Sequence, residues 1–189
     1  SAKSEAESAN RAFVLNEKRL DSLTTFSQQV SRLSEQEILQ LGLEEAQRLT
    51  NSKIGYLHFI NDDQETIQLV TWSASTIKLC TAAYDSHYPV SQAGIWADTV
   101  RFKKSVIHND YQTLEGRQGL PEGHFPLIRH IGTPVLDGEQ VRMIIGVGNK
   151  EDPYDGADLR QLQLIGDNLW KLVSLGRALF ALEQAKEVA

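Results

Sequence analysis

The side chains able to do chemistry in this 189-residue chain crowd into one stretch. Between Trp72 and His130 lie Trp72, Cys80, Tyr84, His87, Tyr88, Trp96, His108, Tyr111, His124 and His130, among them four of the five histidines. Ordinary loops lean on Gly, Ser, Asn and Asp. A loop-rich region loaded with aromatic and imidazole groups predicts a cavity with apolar walls and a few aimed polar groups. The competing reading is a plain lid, since large aromatics bury well. The expected ligand-binding set is Trp72, Cys80, His87, Tyr88, Trp96, His108, Asn109, Tyr111, His124 and Arg129. Arg129 precedes an apolar strand, where it would hold a carboxylate or phosphate bidentately or else pair with a surface acid. Asn109 sits at a strand end with donors and acceptors to offer, and turn chemistry accounts for it as well.

Other chemistries find less support. Cys80, His87, His108, Asp110 and His124 include metal-ligand types, but their spacing matches no compact motif, so haem or a metal is not expected and the cofactor is left open. Cys80 is the single cysteine, which excludes an intrachain disulfide and reads best as a small buried side chain. Gly116, Gly119 and Gly123 are too scattered for a phosphate cradle, and no Gly-x-x-x-x-Gly-Lys-Ser/Thr motif occurs. No residue is assigned a catalytic role. A net charge of −6 disfavours nucleic acid as a partner. Apolar residues at 41% and charged residues at 23% suit a soluble globular domain. The longest apolar runs, such as Met143–Val147, are far too short to span a membrane. The polar start, Ser1 to Glu7, has no apolar signal segment, so a cytoplasmic piece of a longer protein is expected.

The elements that must position these groups read clearly. From Ala6 to Arg48 there is no Pro and only Gly42, and Phe13, Leu20, Leu23, Phe26, Val30 and Leu33 recur at helical spacing. Ser34-Glu35-Gln36-Glu37 is a capping box that opens a second helix. Ile54–Ile60 and Thr66–Trp72 form a hairpin around Asn61-Asp62-Asp63-Gln64. Ile131–Leu136 and Gln140–Val147 form another around Asp137-Gly138. Between them stand a short helical pattern, Ala93–Lys103, and a short strand, Ser105–His108. Leu159, Leu162, Ile165, Leu169, Leu172, Val173, Leu179 and Leu182 mark a long closing helix. The predicted class is α+β: a central antiparallel sheet of about five to six strands, helices on one face, and long N- and C-terminal helices.

This order, with Gly146-Val147-Gly148-Asn149-Lys150 followed by Tyr154 and Asp158, resembles a GAF domain, a small-molecule sensor and dimerisation module. The segment is similar to that family's Asn-Lys, aromatic, Asp signature, except that Leu159 follows Asp158 where the family has an acid. A Lys150–Asp158 salt bridge pinning the strand–helix corner is expected. Ile54-Gly55-Tyr56-Leu57-His58-Phe59, His87-Tyr88-Pro89, Ala93 to Asp98, Val106 to Tyr111, Gly119 to His124 and Arg129-His130 look like a bacterial subgroup found upstream of histidine kinase, diguanylate cyclase or HD-type phosphodiesterase modules. The resemblance implies a GAF/PAS-like core over 35–175, an N-terminal signalling helix over 1–34 and the end of a C-terminal signalling helix over 176–189.

The implied function is a non-enzymatic sensor. A small molecule would bind under residues 73–130 and bias a parallel homodimer fused to one of those two-component or cyclic-di-GMP output modules. The dimer helices would meet as a coiled coil through Leu20, Leu23, Val30, Leu162, Leu169, Leu172 and Leu179. Two alternatives stand beside it. One is a thiol enzyme resembling the GAF-type free methionine sulfoxide reductases and using Cys80, whose resolving step needs a second thiol absent from the chain. The other is a ligand-free structural relay.

Overall fold

A computed structural model describes residues 2–29, 33–79, 87–89, 94, 97–115 and 126–188, and for Ala2, Arg19, 22–29, Leu69, Leu79 and 87–89 it describes the backbone alone. Helix α1 spans Ala2–Gln29 and α2 spans Glu35–Leu49. The capping box sets the start of α2. The Glu37 N–H donates to Ser34 Oγ at 3.3 Å, and the Ser34 N–H donates to Glu37 Oε2 at 2.8 Å. Strands β1 (Ile54–Ile60) and β2 (Thr66–Trp72) form the first hairpin, in which Asp63 Oδ1 accepts the Glu65 and Thr66 N–H groups at 2.9 Å each. Short elements follow: α3 (Ala74–Leu79), β3 (His87–Pro89), α4 (Asp98–Phe102), β4 (Val106–His108) and a 3-10 turn at Tyr111–Thr113. Strands β5 (His130–Asp137) and β6 (Gln140–Gly148) form the second hairpin, with Gly138 at φ 62 in its turn, and α5 (Gly156–Val188) closes the chain.

The six strands pair antiparallel in the order β3-β2-β1-β6-β5-β4. Pleating separates two faces. Leu57, Met143, Ile145, Val147, Ile131 and Val135 point to one of them, where α2 and α5 cover them with Leu39, Leu43, Leu162 and Leu169. A Cβ on Gly42 would lie 2.4 Å from a Leu169 methyl carbon, so this glycine permits the close crossing of α2 and α5. The other face carries Ile60, Ile67, Val141 and Ile144 beneath Ala97 and Val100, and Ile54 beneath Tyr111 and Leu127. The α+β class and the long terminal helices are as expected.

Three details differ from the expectation. Among the described residues of the helical pattern at Ala93–Lys103 stands the one-turn α4, and α3 and β3 have no counterpart in the hydropathy pattern. Leu162 and Leu169 are 0% and 2% exposed, so they belong to the domain's own core and are closed to a partner helix. Leu172 packs partly against that core. Leu175, Leu179, Phe180 and Leu182 on α5 and Phe13 on α1 are exposed. Val30 and the side chain of Leu23 lie outside the described residues.

Beyond the buried leucines of α5, Arg177 makes a further tie to the body of the domain. Arg177 donates to both carboxylate oxygens of Glu35, at 2.9 and 2.8 Å, and its guanidinium lies 4.8 Å from the Phe59 ring centroid and 5.9 Å from that of Trp170. No described helix is long and apolar enough to cross a membrane.

Candidate functional site

Alternation along β1 sends Tyr56 and His58 to the face opposite α2 and α5. His130 on β5 sits on that same face, and β4 places His108 directly across from His130 in the ladder. Tyr111 enters from the 3-10 turn. The five rings form one cluster. Tyr56 stacks on His58 with centroids 5.1 Å apart and on His130 at 5.8 Å, and His130 stacks on His108 at 5.7 Å. Tyr111 meets His108 and His130 edge-on, each at 6.2 Å. Tyr56 Oη and His130 Nε2 share a hydrogen bond of 2.8 Å.

Glycines make room for this arrangement. A Cβ on Gly146 would fall 2.2 Å from the Tyr56 ring, and one on Gly132 would fall 3.2 Å from His130, Thr99 and Tyr56 alike. Gly146→Ala is therefore expected to cost about 1–3 kcal/mol by overpacking, and to cost markedly less in a Tyr56→Ala background. Denaturant unfolding of the four chains in that cycle measures it, and an undiminished cost once the Tyr56 ring is gone would remove the steric explanation.

The cluster is electrically neutral near pH 7. Burial lowers the His58 pKa to about 3, and burial together with the neighbouring His108 lowers that of His130 to about 3. Burial also lowers His108, against a smaller opposing pull from Asp98. His130 Nδ1 and His108 Nε2 are buried and meet no hydrogen-bond partner among the described residues. Among those residues, no group of three or more His, Cys, Asp or Glu side chains is placed to hold a metal ion. The arrangement suits hydrogen bonding and stacking with an uncharged planar group.

Beside the cluster lies the strand–helix corner. Lys150 Nζ and Asp158 Oδ2 are 2.8 Å apart, with side chains 18% and 4% exposed. Asp158 Oδ2 also accepts the Asp155 N–H at 3.1 Å, and Asp155 Oδ1 caps α5 by accepting the Ala157 and Asp158 N–H groups. Tyr154 Oη accepts the Lys150 N–H and bonds Ser52 Oγ at 2.6 Å, and burial pushes its pKa up to about 12.

The predicted ligand residues divide accordingly. His108 and Tyr111 join the cluster, and Trp72 stands opposite Tyr56 in the β1–β2 ladder, half-buried. Asn109 is committed elsewhere. Its amide donates to the Tyr154 carbonyl at 3.0 Å and accepts the Tyr154 N–H at 2.7 Å, which fastens the loop to the corner. Arg129 also turns to the corner, donating to the Lys150 carbonyl at 3.3 Å, because His130 beside it takes the cluster face. Cys80, Trp96, His124 and the side chains of His87 and Tyr88 lie outside the described residues.

The family profile described as "GAF domain" matches residues 32–174. The chain belongs to the GAF domain family. This GAF domain is 39% identical over 171 residues to the "Methyl sulfide methyltransferase-associated sensor" of Methanosarcina acetivorans, matching 89% of the chain but spanning only 17% of that relative. The GAF domain of a phosphoenolpyruvate-protein phosphotransferase from Coxiella burnetii superposes with a TM-score of 0.69 at 14% identity, over 87% of this chain and 98% of that one. The free methionine-R-sulfoxide reductase of Neisseria meningitidis superposes with a TM-score of 0.69 at 10% identity, over 88% and 92%. At such identities these two likenesses speak for the fold alone.

Reading the GAF domain from its sequence missed Tyr56 and His58 and left His130 out of the ligand set. The signal was present in β1, where Tyr56, His58 and Ile60 alternate with Leu57 and Phe59, and β6 sets Gly146 against Tyr56. Two-residue periodicity with glycine facing aromatic marks a ring laid across a sheet.

Proposed function

We propose that this GAF domain is a sensory module. It binds a small uncharged planar molecule on the sheet face carrying Tyr56, His58, His108, Tyr111 and His130, under the cover formed by residues 73–130. The observation that carries the reading is the pair of buried ring nitrogens, His130 Nδ1 and His108 Nε2, that meet no hydrogen-bond partner among the described residues of a neutral aromatic cluster. Buried polar atoms are ordinarily satisfied, and a ligand edge with complementary donors and acceptors would complete both. Trp72, Cys80, His87, Tyr88, Trp96 and His124 are the further candidates to line the cover. The relative named as a sensor supports the role. The state of the pocket would pass through α1 and α5 to a parallel homodimer and a fused histidine kinase, diguanylate cyclase or phosphodiesterase module, with any catalysis in that module.

Thermal unfolding against a panel of planar metabolites, paired with sedimentation equilibrium, tests this. A true ligand at a hundredfold excess over Kd stabilises the domain by about 2.7 kcal/mol, and His130→Phe, which keeps the ring but not the nitrogens, abolishes the gain. A gain that persists in His130→Phe refutes the site. A sedimenting monomer at high concentration refutes the dimeric relay.

A further inference from the structure

A groove lies on the helix-bearing side of the sheet's far edge. It holds about 780 Å³ between β5, the turn leaving α4 and the outer flank of α5. Its lining is cationic. Lys103, Lys104 and Arg160 face a single carboxylate there, Asp167, in a chain whose net charge is −6. Lys104 and Arg160 enter none of the ion pairs among the described residues, and both are exposed. Lys103 is held at the rim. Its backbone sits at φ 51, in the left-handed region that a lysine adopts at a cost, and its ammonium donates to the Glu139 carbonyl at 2.5 Å.

The base of the groove is polar and ordered. Gln163 Nε2 donates to Ser105 Oγ at 2.9 Å, and Ser105 Oγ shares a 2.9 Å hydrogen bond with Thr133 Oγ1. Arg160, Gln163 and Asp167 stand three and then four residues apart, one stripe of α5 turned to the groove. Apolar surface is supplied by Pro134, Leu136 and Leu164. Two cations outside every ion pair among the described residues, a fixed hydrogen-bond network and a short apolar wall are the features that recognise a small organic anion.

We propose that this groove is an anion-binding site distinct from the aromatic cluster, taking a carboxylate or phosphate monoester with a short apolar body. The anionic group is held by Lys104 and Arg160, and the body lies along Pro134 and Leu164. The groove and the cluster lie on opposite faces of the sheet, so the two proposals stand or fall separately.

Amide chemical-shift titration of the whole domain with phenyl phosphate is the test, with benzyl alcohol as the uncharged control. The expected result is a saturable shift at the amides of Ser105, Thr133 and Gln163. The Lys104→Ala/Arg160→Ala double variant is expected to bind about tenfold or more weakly, as is the wild type when salt rises from about 20 to about 200 mM. Both side chains are exposed and form no ion pair among the described residues, so the variant should unfold at the wild-type temperature. Absence of saturable shifts up to ~10 mM phenyl phosphate, equal binding of benzyl alcohol, or undiminished binding by the double variant would each overturn the proposal.

Discussion

Lowering the pH from about 7 to about 5 removes about 4 kcal/mol from the stability of this domain, ~2 kcal/mol for each of His58 and His130. Both side chains are fully buried, with pKa values lowered by burial from 6.5 to about 3. The unfolded chain therefore takes up protons below pH 6.5 that the folded one refuses. The stability conferred by these neutral rings is complete above 6.5 and is lost progressively as pH falls toward 3. Carboxylates contribute little to the slope in the upper part of that window. Urea unfolding at the two pH values measures the loss. His58→Leu and His130→Phe should each remove about half of it, and a double variant that keeps the full dependence would show that the histidines are not its source.

Replacing Lys150 by Met is expected to cost about 2–3 kcal/mol, because it leaves a carboxylate that is 4% exposed without its counter-charge. Asp158→Asn should cost less. It retains an oxygen for the Asp155 N–H, and the stranded Lys150 ammonium, 18% exposed and 5.9 Å from the Tyr154 ring centroid, can turn toward solvent. Replacing both partners by apolar residues should recover part of the loss, since no charge is then left buried. Equilibrium denaturation of the three variants gives the order. Equal costs for Lys150→Met and Asp158→Asn would mean that burial of the carboxylate is not what the pair is for.

The framework was legible where short-range chemistry dictates it. Ser34 and Glu37 announce α2, Asp137-Gly138 the second hairpin, and the leucines of 159–173 the face of α5. The site was legible in kind but not in membership. A histidine-rich loop draws attention to itself, whereas His58 and His130 sit inside apolar strands and acquire meaning only when β1, β6 and β5 are laid side by side. Asn109 and Arg129 misled for the same reason. The Asn109 amide is spent on Tyr154, 45 residues away, and one Arg129 N–H on the Lys150 carbonyl, 21 residues away, and spacing along the chain carries no sign of that. Leu169 reads as a seam residue until its partner, Gly42 on α2, is seen.

The clasp of Arg177 on Glu35, Phe59 and Trp170 also sets a fulcrum. Residues 178–188 continue as exposed helix past it, a rigid arm of about 16 Å. A tilt of about 5° there sweeps the tip of the arm by about 1.5 Å, which matches the helix displacements that switch subunit interfaces. Small angular strain in the sheet would thus be enlarged at each residue of α5 in proportion to its distance beyond Arg177.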